Sequence, residues 1–291
     1  QAIRFLELDK HEAGKMHIAW SPTHADILVS VSEDKTIRLY DVISGESNHL
    51  TTTDANSLVV WKPDGLSFLV GDIRGKLTRF DLREGNSLQN ITSTASYQHN
   101  SPIHDCKWLG NEGERIALAA EGVGMTLLTG DLQLASSPHL QVLSPAVLAL
   151  PARNNDILFI GDSTIVSLWQ VSQMCCIETV PFTEDASLPH CLDVNDTGTI
   201  MAFRNGPGKL ALASISYDDA GDSGQGRGKG KARSPKPLGS WLRVNGELTA
   251  IAFAPACRGM VVAIAGKGER GGGELHILDC SVLLHSSHSS D

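Results

Sequence analysis

One short pattern recurs along the whole chain, and few folds can accommodate such a recurrence. A brief apolar run ends in a Trp or an apolar equivalent and passes at once into a turn. The turns are Trp20-Ser21-Pro22, Trp61-Lys62-Pro63-Asp64-Gly65, Trp108-Leu109-Gly110, Leu150-Pro151, Val194-Asn195-Asp196-Thr197-Gly198 and Phe253-Ala254-Pro255. Most intervals lie near the roughly 40–45 residues of a repeat built from four short strands. The last interval is longer because it carries an insertion. In the clearest copy, Ile18-Ala19-Trp20 is an apolar strand, Ile27–Val31 is the next, and Thr36-Ile37-Arg38-Leu39-Tyr40 is a β-branched and aromatic third. Met16 to Val42 is read as one four-stranded unit.

The closing strands recur in step with these turns: Thr36–Val42, Lys76–Leu82, Met125–Asp131, Thr164–Val171, Lys209–Tyr217 and Glu274–Cys280. Gly or Asp often precedes them, as tight hairpins require. No helix-period apolar pattern interrupts the series, so the chain is expected to be all-β. Stacked four-stranded sheets bury a continuous core when they close on themselves, which also leaves few free edges. The expectation is therefore a single β-propeller over residues 1–291 with six full repeats visible. Ile3–Asp9 reads as a further closing strand with no partners before it. Seven blades, the first incomplete, is the favoured reading, and the opening Gln1 fits a start inside that blade. Six blades with a spare strand is the alternative.

Composition narrows the class further. Hydrophobic residues make up 41% and charged residues 20% of 291, values ordinary for a globular chain. No apolar run approaches the roughly 20 residues of a membrane helix, and no signal peptide is read. The six cysteines, Cys106, Cys175, Cys176, Cys191, Cys257 and Cys280, fall mostly within apolar strand patterns and not in a disulfide framework. A net charge of −9 opposes a whole-surface grip on nucleic acid.

One segment departs from the acidic average. From Asp218 to Pro237 the chain is Gly-rich and carries Arg227, Lys229, Lys231, Arg233 and Lys236. With no apolar anchor it is expected to be a disordered insertion between the fifth and sixth full repeats. Basic residues spaced by Gly can follow a phosphate backbone or serve as a nuclear-import signal. A plain solvated loop is the competing reading. No aromatic residue is interleaved, so base stacking is not indicated.

Other motifs are better read as structure. Gly161-Asp162-Ser163 is similar to an esterase nucleophile block, but a strand follows where a helix is needed, so a tight turn is expected. His190-Cys191, Cys175-Cys176 and His104-x-Cys106 lack the spacing of a tetrahedral metal site and are read as buried strand residues. Gly266–Gly273 lacks the Lys-Ser/Thr ending of a phosphate loop and reads as a long hairpin. Asp218, Asp219 and Asp222 do not follow a calcium-loop pattern. No catalytic, cofactor or metal site is expected.

Several segments, taken in order, carry a family resemblance. Ser32–Val42 (SEDKTIRLYDV) looks like the second half of a WD40 repeat, with Tyr40-Asp41 in place of Trp-Asp. Together with Ser57–Leu82, Ile165–Val171 (IVSLWQV) and the Gly-rich hairpin Gly266–Leu278, it resembles the WD40-repeat propeller subunits of the THO complex. Ile3–Asp9 then falls at the end of that family's first blade. Ile103–Leu132 is a weak match, Gln170 replaces an Asp, and the basic insertion has no counterpart. The resemblance implies a non-catalytic scaffold of the THO/TREX assembly, which couples transcription to mRNA packaging and nuclear mRNA export. It implies a nuclear location, other THO/TREX subunits as protein partners, and RNA contacted indirectly or weakly. No cofactor, membrane or small-molecule substrate is implied. An adaptor in another assembly, such as a ubiquitin ligase or a chromatin-associated complex, is the alternative.

Overall fold

In a computed structural model of the chain, the residues described are 11–12, 16–82, 90–110, 113–143, 147–151, 156–162, 165–181, 191–204, 208–215, 236–237, 242–243, 247–254, 261–267 and 273–279. Every regular element among them is a strand. The chain divides into two compact units, residues 1–144 and 145–291.

The first unit contains three antiparallel four-stranded sheets. The first sheet is β1 (Met16–Trp20), β2 (Ile27–Ser32), β3 (Thr36–Asp41) and β4 (Ser47–Thr51). The second is β5 (Asn56–Trp61), β6 (Ser67–Asp72), β7 (Lys76–Leu82) and β8 (Ile91–Gln98). The third is β9 (Ile103–Leu109), β10 (Arg115–Ala120), β11 (Val123–Thr129) and β12 (Leu134–Leu143). Strand order in each sheet follows the chain, and β5 lies beside both β1 and β9.

The second unit repeats the plan. Its sheets are β13 (Val147–Ala149), β14 (Ile157–Gly161), β15 (Ile165–Gln170) and β16 (Cys175–Pro181), then β17 (Leu192–Val194), β18 (Ile200–Arg204) and β19 (Lys209–Ser214). Two short strands, β20 (Lys236–Pro237) and β21 (Leu242–Arg243), both pair with β19. The last sheet is β22 (Glu247–Phe253), β23 (Val261–Lys267) and β24 (Gly273–Asp279).

Position within the sheet decides composition. The second strand of each repeat lies between neighbours on both edges and is packed under a neighbouring sheet. It therefore reads as an unbroken apolar or small run: β2, β6, β14 and β18 are buried at every residue. The outermost strands alternate weakly and stay half exposed, as in β4 (Ser-Asn-His-Leu-Thr). This corrects one boundary. Met16–Val42 holds three strands, and the fourth strand of that unit is β4, which lies beyond it.

Three hydrophobic clusters form between the sheets. Between the first two sheets lie Val29, Val31, Ile37 and Leu39 against Val59, Trp61, Phe68, Val70 and Phe80. Phe68 stacks on Phe80 with centroids 5.5 Å apart and tilts against Trp61 at 5.2 Å, which suits aromatic quadrupoles. The Trp61 indole N–H donates to the Ala19 carbonyl of β1 at 3.0 Å, so this large ring is satisfied as well as buried. Leu58, Leu69 and Leu77 pack on Cys106, Trp108, Ile116, Leu118 and Leu128 in the next layer. In the second unit, Phe159, Val166 and Leu168 pack on Leu192, Met201, Phe203 and Ala211.

Hairpin chemistry fixes the register. The β2–β3 turn is held by the Asp34 carboxylate, which accepts from the Thr36 backbone N–H at 2.9 Å. The β6–β7 turn repeats the device, with Asp72 accepting from the N–H groups of Arg74 and Lys76. Its fourth residue, Gly75, has φ +84°, a conformation that costs glycine little. The same turn position in the first sheet is Lys35, at φ 66°.

Candidate interaction surfaces

The first and third turns of an up-and-down sheet emerge at one end, and the second turn emerges at the other. Each end of the first unit carries a polar arrangement.

At the second-turn end, His11 is drawn into the first sheet. Its Nδ1 lies 2.9 Å from Asp34 Oδ2, and its Nε2 lies 2.7 Å from the Ser30 hydroxyl. The two side chains are only 2% and 7% exposed. Asp34 also accepts from the Thr36 hydroxyl at 2.7 Å and from the Glu12 backbone N–H at 2.9 Å. Burial alone would raise the Asp34 carboxyl pKa. The hydrogen bonds from Thr36, Glu12 and His11 outweigh it and hold the group far below the ordinary carboxylate value. This network ties His11 and Glu12 to the sheet, and its groups satisfy one another.

At the opposite end, a cleft of about 670 Å³ opens between the second and third sheets. Its lining includes Lys62, Asp64, Arg79, Glu114, Thr129 and Asp131. Arg79 donates through Nε to Asp81 at 2.8 Å and through Nη1 to the Gly130 carbonyl at 3.2 Å, with Asp131 at 3.4 Å. Lys62 Nζ lies 2.6 Å from Asp64 and 6.0 Å from the centroid of the Trp108 ring, the outer limit of a cation–π contact. No His or Cys lines this cleft. Its paired, partly exposed charges suit polar docking, with specificity set by charge placement.

The residues singled out by sequence fall as follows. Arg227, Lys229, Lys231 and Arg233 lie outside the described residues, as do Ser163, His190, Cys257, Cys280, Asp218, Asp219, Asp222 and the stretch Ile3–Asp9 expected as a strand. Lys236 pairs with Ser214 as part of the short strand β20. Asp162 closes the β14–β15 hairpin by accepting from the Ile165 N–H at 2.8 Å. β23 and β24 pair antiparallel, with Lys267 opposite Gly273, and residues 268–272 between them lie outside the described residues.

The cysteines need correction. Cys106 is buried in β9 and Cys191 is buried beside β17, but Cys175 and Cys176 are exposed on β16. β16 is an outermost strand, so it has no sheet beyond its edge to cover it. His104 and Cys106 do not share a face either. Ala119 pairs with Asp105 and Ala120 with Ile103, which leaves His104 in a bulge and exposed while Cys106 stays buried. Among the described residues no cluster of His, Cys, Asp and Glu could hold a metal ion. The cleft around Arg79 was not anticipated. Its signal was an Arg in a third strand at a position where the first repeat has Leu39.

Repeated antiparallel sheets of short strands, most of them four-stranded, are those of the WD40 β-propeller class. Similarity to known proteins agrees with the class. The chain is 25% identical to THO complex subunit 3 from Arabidopsis thaliana over 183 residues, 60% of this chain and 54% of that protein. It is 29% identical over 183 residues to WD repeat-containing protein AAC3 from Dictyostelium discoideum, covering 60% of this chain and 37% of the relative. A 74-residue stretch, 25% of the chain, is 36% identical to protein NEDD1 from Bos taurus and covers 11% of it. The matched region thus spans about half of the THO relative and less of the others. No family model matches the chain.

Proposed function

We propose that this chain is a non-catalytic protein-interaction scaffold and a subunit of a THO/TREX-type assembly in the nucleus, where it acts in mRNA packaging and export. The observation that carries this reading is the similarity to THO complex subunit 3 across 60% of the chain, joined to the colinear segments Ser32–Val42, Ser57–Leu82 and Ile165–Val171. The physical role is docking. Rigid stacked sheets present turns at two ends and outer strands at the rim, and a few anchor side chains supply most of the binding energy. RNA is contacted indirectly, or weakly through the basic residues from Arg227 to Lys236.

A second reading keeps the fold and changes the assembly. The similarity to the Dictyostelium WD-repeat protein is compatible with an adaptor in another complex. Affinity purification of the tagged full-length protein from its own cells, after nuclease treatment, separates the two. Stoichiometric recovery of the large THO subunits supports the first reading, and a different stable set of partners replaces it with the second. Deleting residues 224–237 tests the RNA contact. Unchanged RNA affinity at low and moderate salt removes that part of the proposal.

A further inference from the structure

Sheet edges invite pairing with other chains, and proteins usually blunt them with short strands, charge, proline or bulges. Among the described residues, the other terminal strands considered mostly follow that rule. β4 has five residues. β12 contains Pro138 and shifts register twice against β11. β16 carries Glu178 and ends at Pro181. β24 carries Glu274 and Asp279.

β8 does not follow it. It reads Ile-Thr-Ser-Thr-Ala-Ser-Tyr-Gln over eight residues, with no charge and no proline. It is the terminal strand of its sheet. Its apolar side chains turn inward, since Ile91 packs on the first core layer and Ala95 and Tyr97 on the next. Ser93, Thr94, Ser96 and Gln98 are exposed. The single protective device is a bulge at Thr94, because Arg79 pairs with Ala95 and Phe80 with Ser93.

We propose that β8 is a self-association edge and that its occupant is β8 of a second copy of this chain. Antiparallel pairing about a two-fold axis centred between Thr94 and Ala95 sets Ser93 of each copy opposite Ser96 of the other. Thr92 then meets Tyr97, and Ile91 meets Gln98. Every pair is uncharged, so no like charges meet at the joint, and small hydroxyls on the exposed face allow close approach. The interface is isologous and closes as a dimer. Elsewhere each copy carries a net charge of −9, so salt that screens the long-range repulsion strengthens the dimer.

The test is sedimentation of the full chain from low to high micromolar concentration, at low and at moderate salt. The expected result is a monomer–dimer equilibrium that shifts toward dimer with added salt. The S93K/S96K variant places Lys opposite Lys twice and is expected to weaken dimerisation by at least about tenfold. The S93E/S96K variant places opposite charges at the same two positions and is expected to restore dimerisation to near the parent level. Both changes lie on exposed residues, and thermal melting checks that each variant remains folded. Monomer at every concentration and salt overturns the proposal, as does a dimer that S93K/S96K leaves intact. A dimer abolished equally by both variants also overturns it, because it then lacks the proposed register.

Discussion

Arg79 stands in the second sheet where Leu39 stands in the first. Each lies two residues before the Asp that ends its third-strand pattern, Asp81 and Asp41, and each points toward the following sheet. Leu39 is fully buried against the second sheet. Arg79 reaches Asp81 and the Gly130 carbonyl instead, and lines a polar cleft where the first layer has an apolar core. The two layers therefore respond oppositely to exchange. Arg79→Leu replaces a solvated ion pair by an apolar side chain and is expected to change stability by no more than about 1 kcal/mol. Leu39→Arg puts a charge into a fully buried apolar layer and is expected to cost at least about 3–4 kcal/mol. Urea unfolding of both variants reads the difference, and equal costs would disprove this account of the layers.

Acid should weaken the first sheet through Asp34. Its carboxyl is held below the ordinary value of 3.8, so the folded state binds the proton less readily than the unfolded chain does. The stabilisation is then fully present above that ordinary value and is lost as pH falls below it toward the folded-state value. Asp34→Asn removes the titrating group while keeping a side-chain oxygen for the turn. Unfolding free energy followed from pH 7 downward is expected to fall less steeply in this variant than in the parent. Parallel acid limbs would show that other carboxylates govern the transition.

The second hairpins of the first two sheets give a matched pair of backbone tests. Gly75 has φ +84°, and an added Cβ would clash with the Ser101 carbonyl oxygen and fall 2.8 Å from that of His99. Gly75→Ala is expected to cost more than about 1–2 kcal/mol, since backbone strain and a backbone clash act together. Lys35 holds φ 66° with a side chain present. Lys35→Gly relieves that strain at the expense of unfolded-state entropy and is expected to lie within about 1 kcal/mol of the parent. Thermal melts of the two variants check the contrast.

The inner parts of each repeat were legible because burial writes itself into composition. Lys76–Leu82 was read from the sequence with the same bounds that the strand has, and Thr36–Val42 exceeds β3 by one residue. Both carry β-branched or aromatic residues on a buried face. The outer strands left no comparable mark. Ser47–Thr51 has one large apolar residue, and β8 is half Ser and Thr, because a half-exposed edge strand is held by its neighbour's backbone and needs little side-chain burial. The Arg79 cleft was illegible for another reason. Its partners Gly130 and Asp131 come from a different repeat, and no local pattern reports a contact across that distance in sequence. The His11 network likewise joins a residue before the first strand to Ser30 and Asp34 within the sheet.

Thiol labelling should separate the cysteines by strand position. Cys175 and Cys176 are exposed on the outer strand β16, whereas Cys106 and Cys191 are buried. Burial pushes the Cys176 thiol upward, with a backbone hydrogen bond at Glu178 opposing it, so its thiolate fraction near neutral pH is small and rises with pH. The Cys106 thiol is pushed up far more by complete burial and contributes no thiolate while the sheet is folded. Brief alkylation of the native protein, read peptide by peptide in a mass spectrometer, is expected to modify the Cys175–Cys176 peptide first and faster at pH 8.5 than at pH 7. Cys106 and Cys191 are expected to react only after denaturant is added. Labelling of Cys106 at a rate similar to Cys175 in the native protein would mean that the layer formed by Leu58, Leu69, Leu77 and Trp108 opens readily, contrary to the packing seen around that thiol.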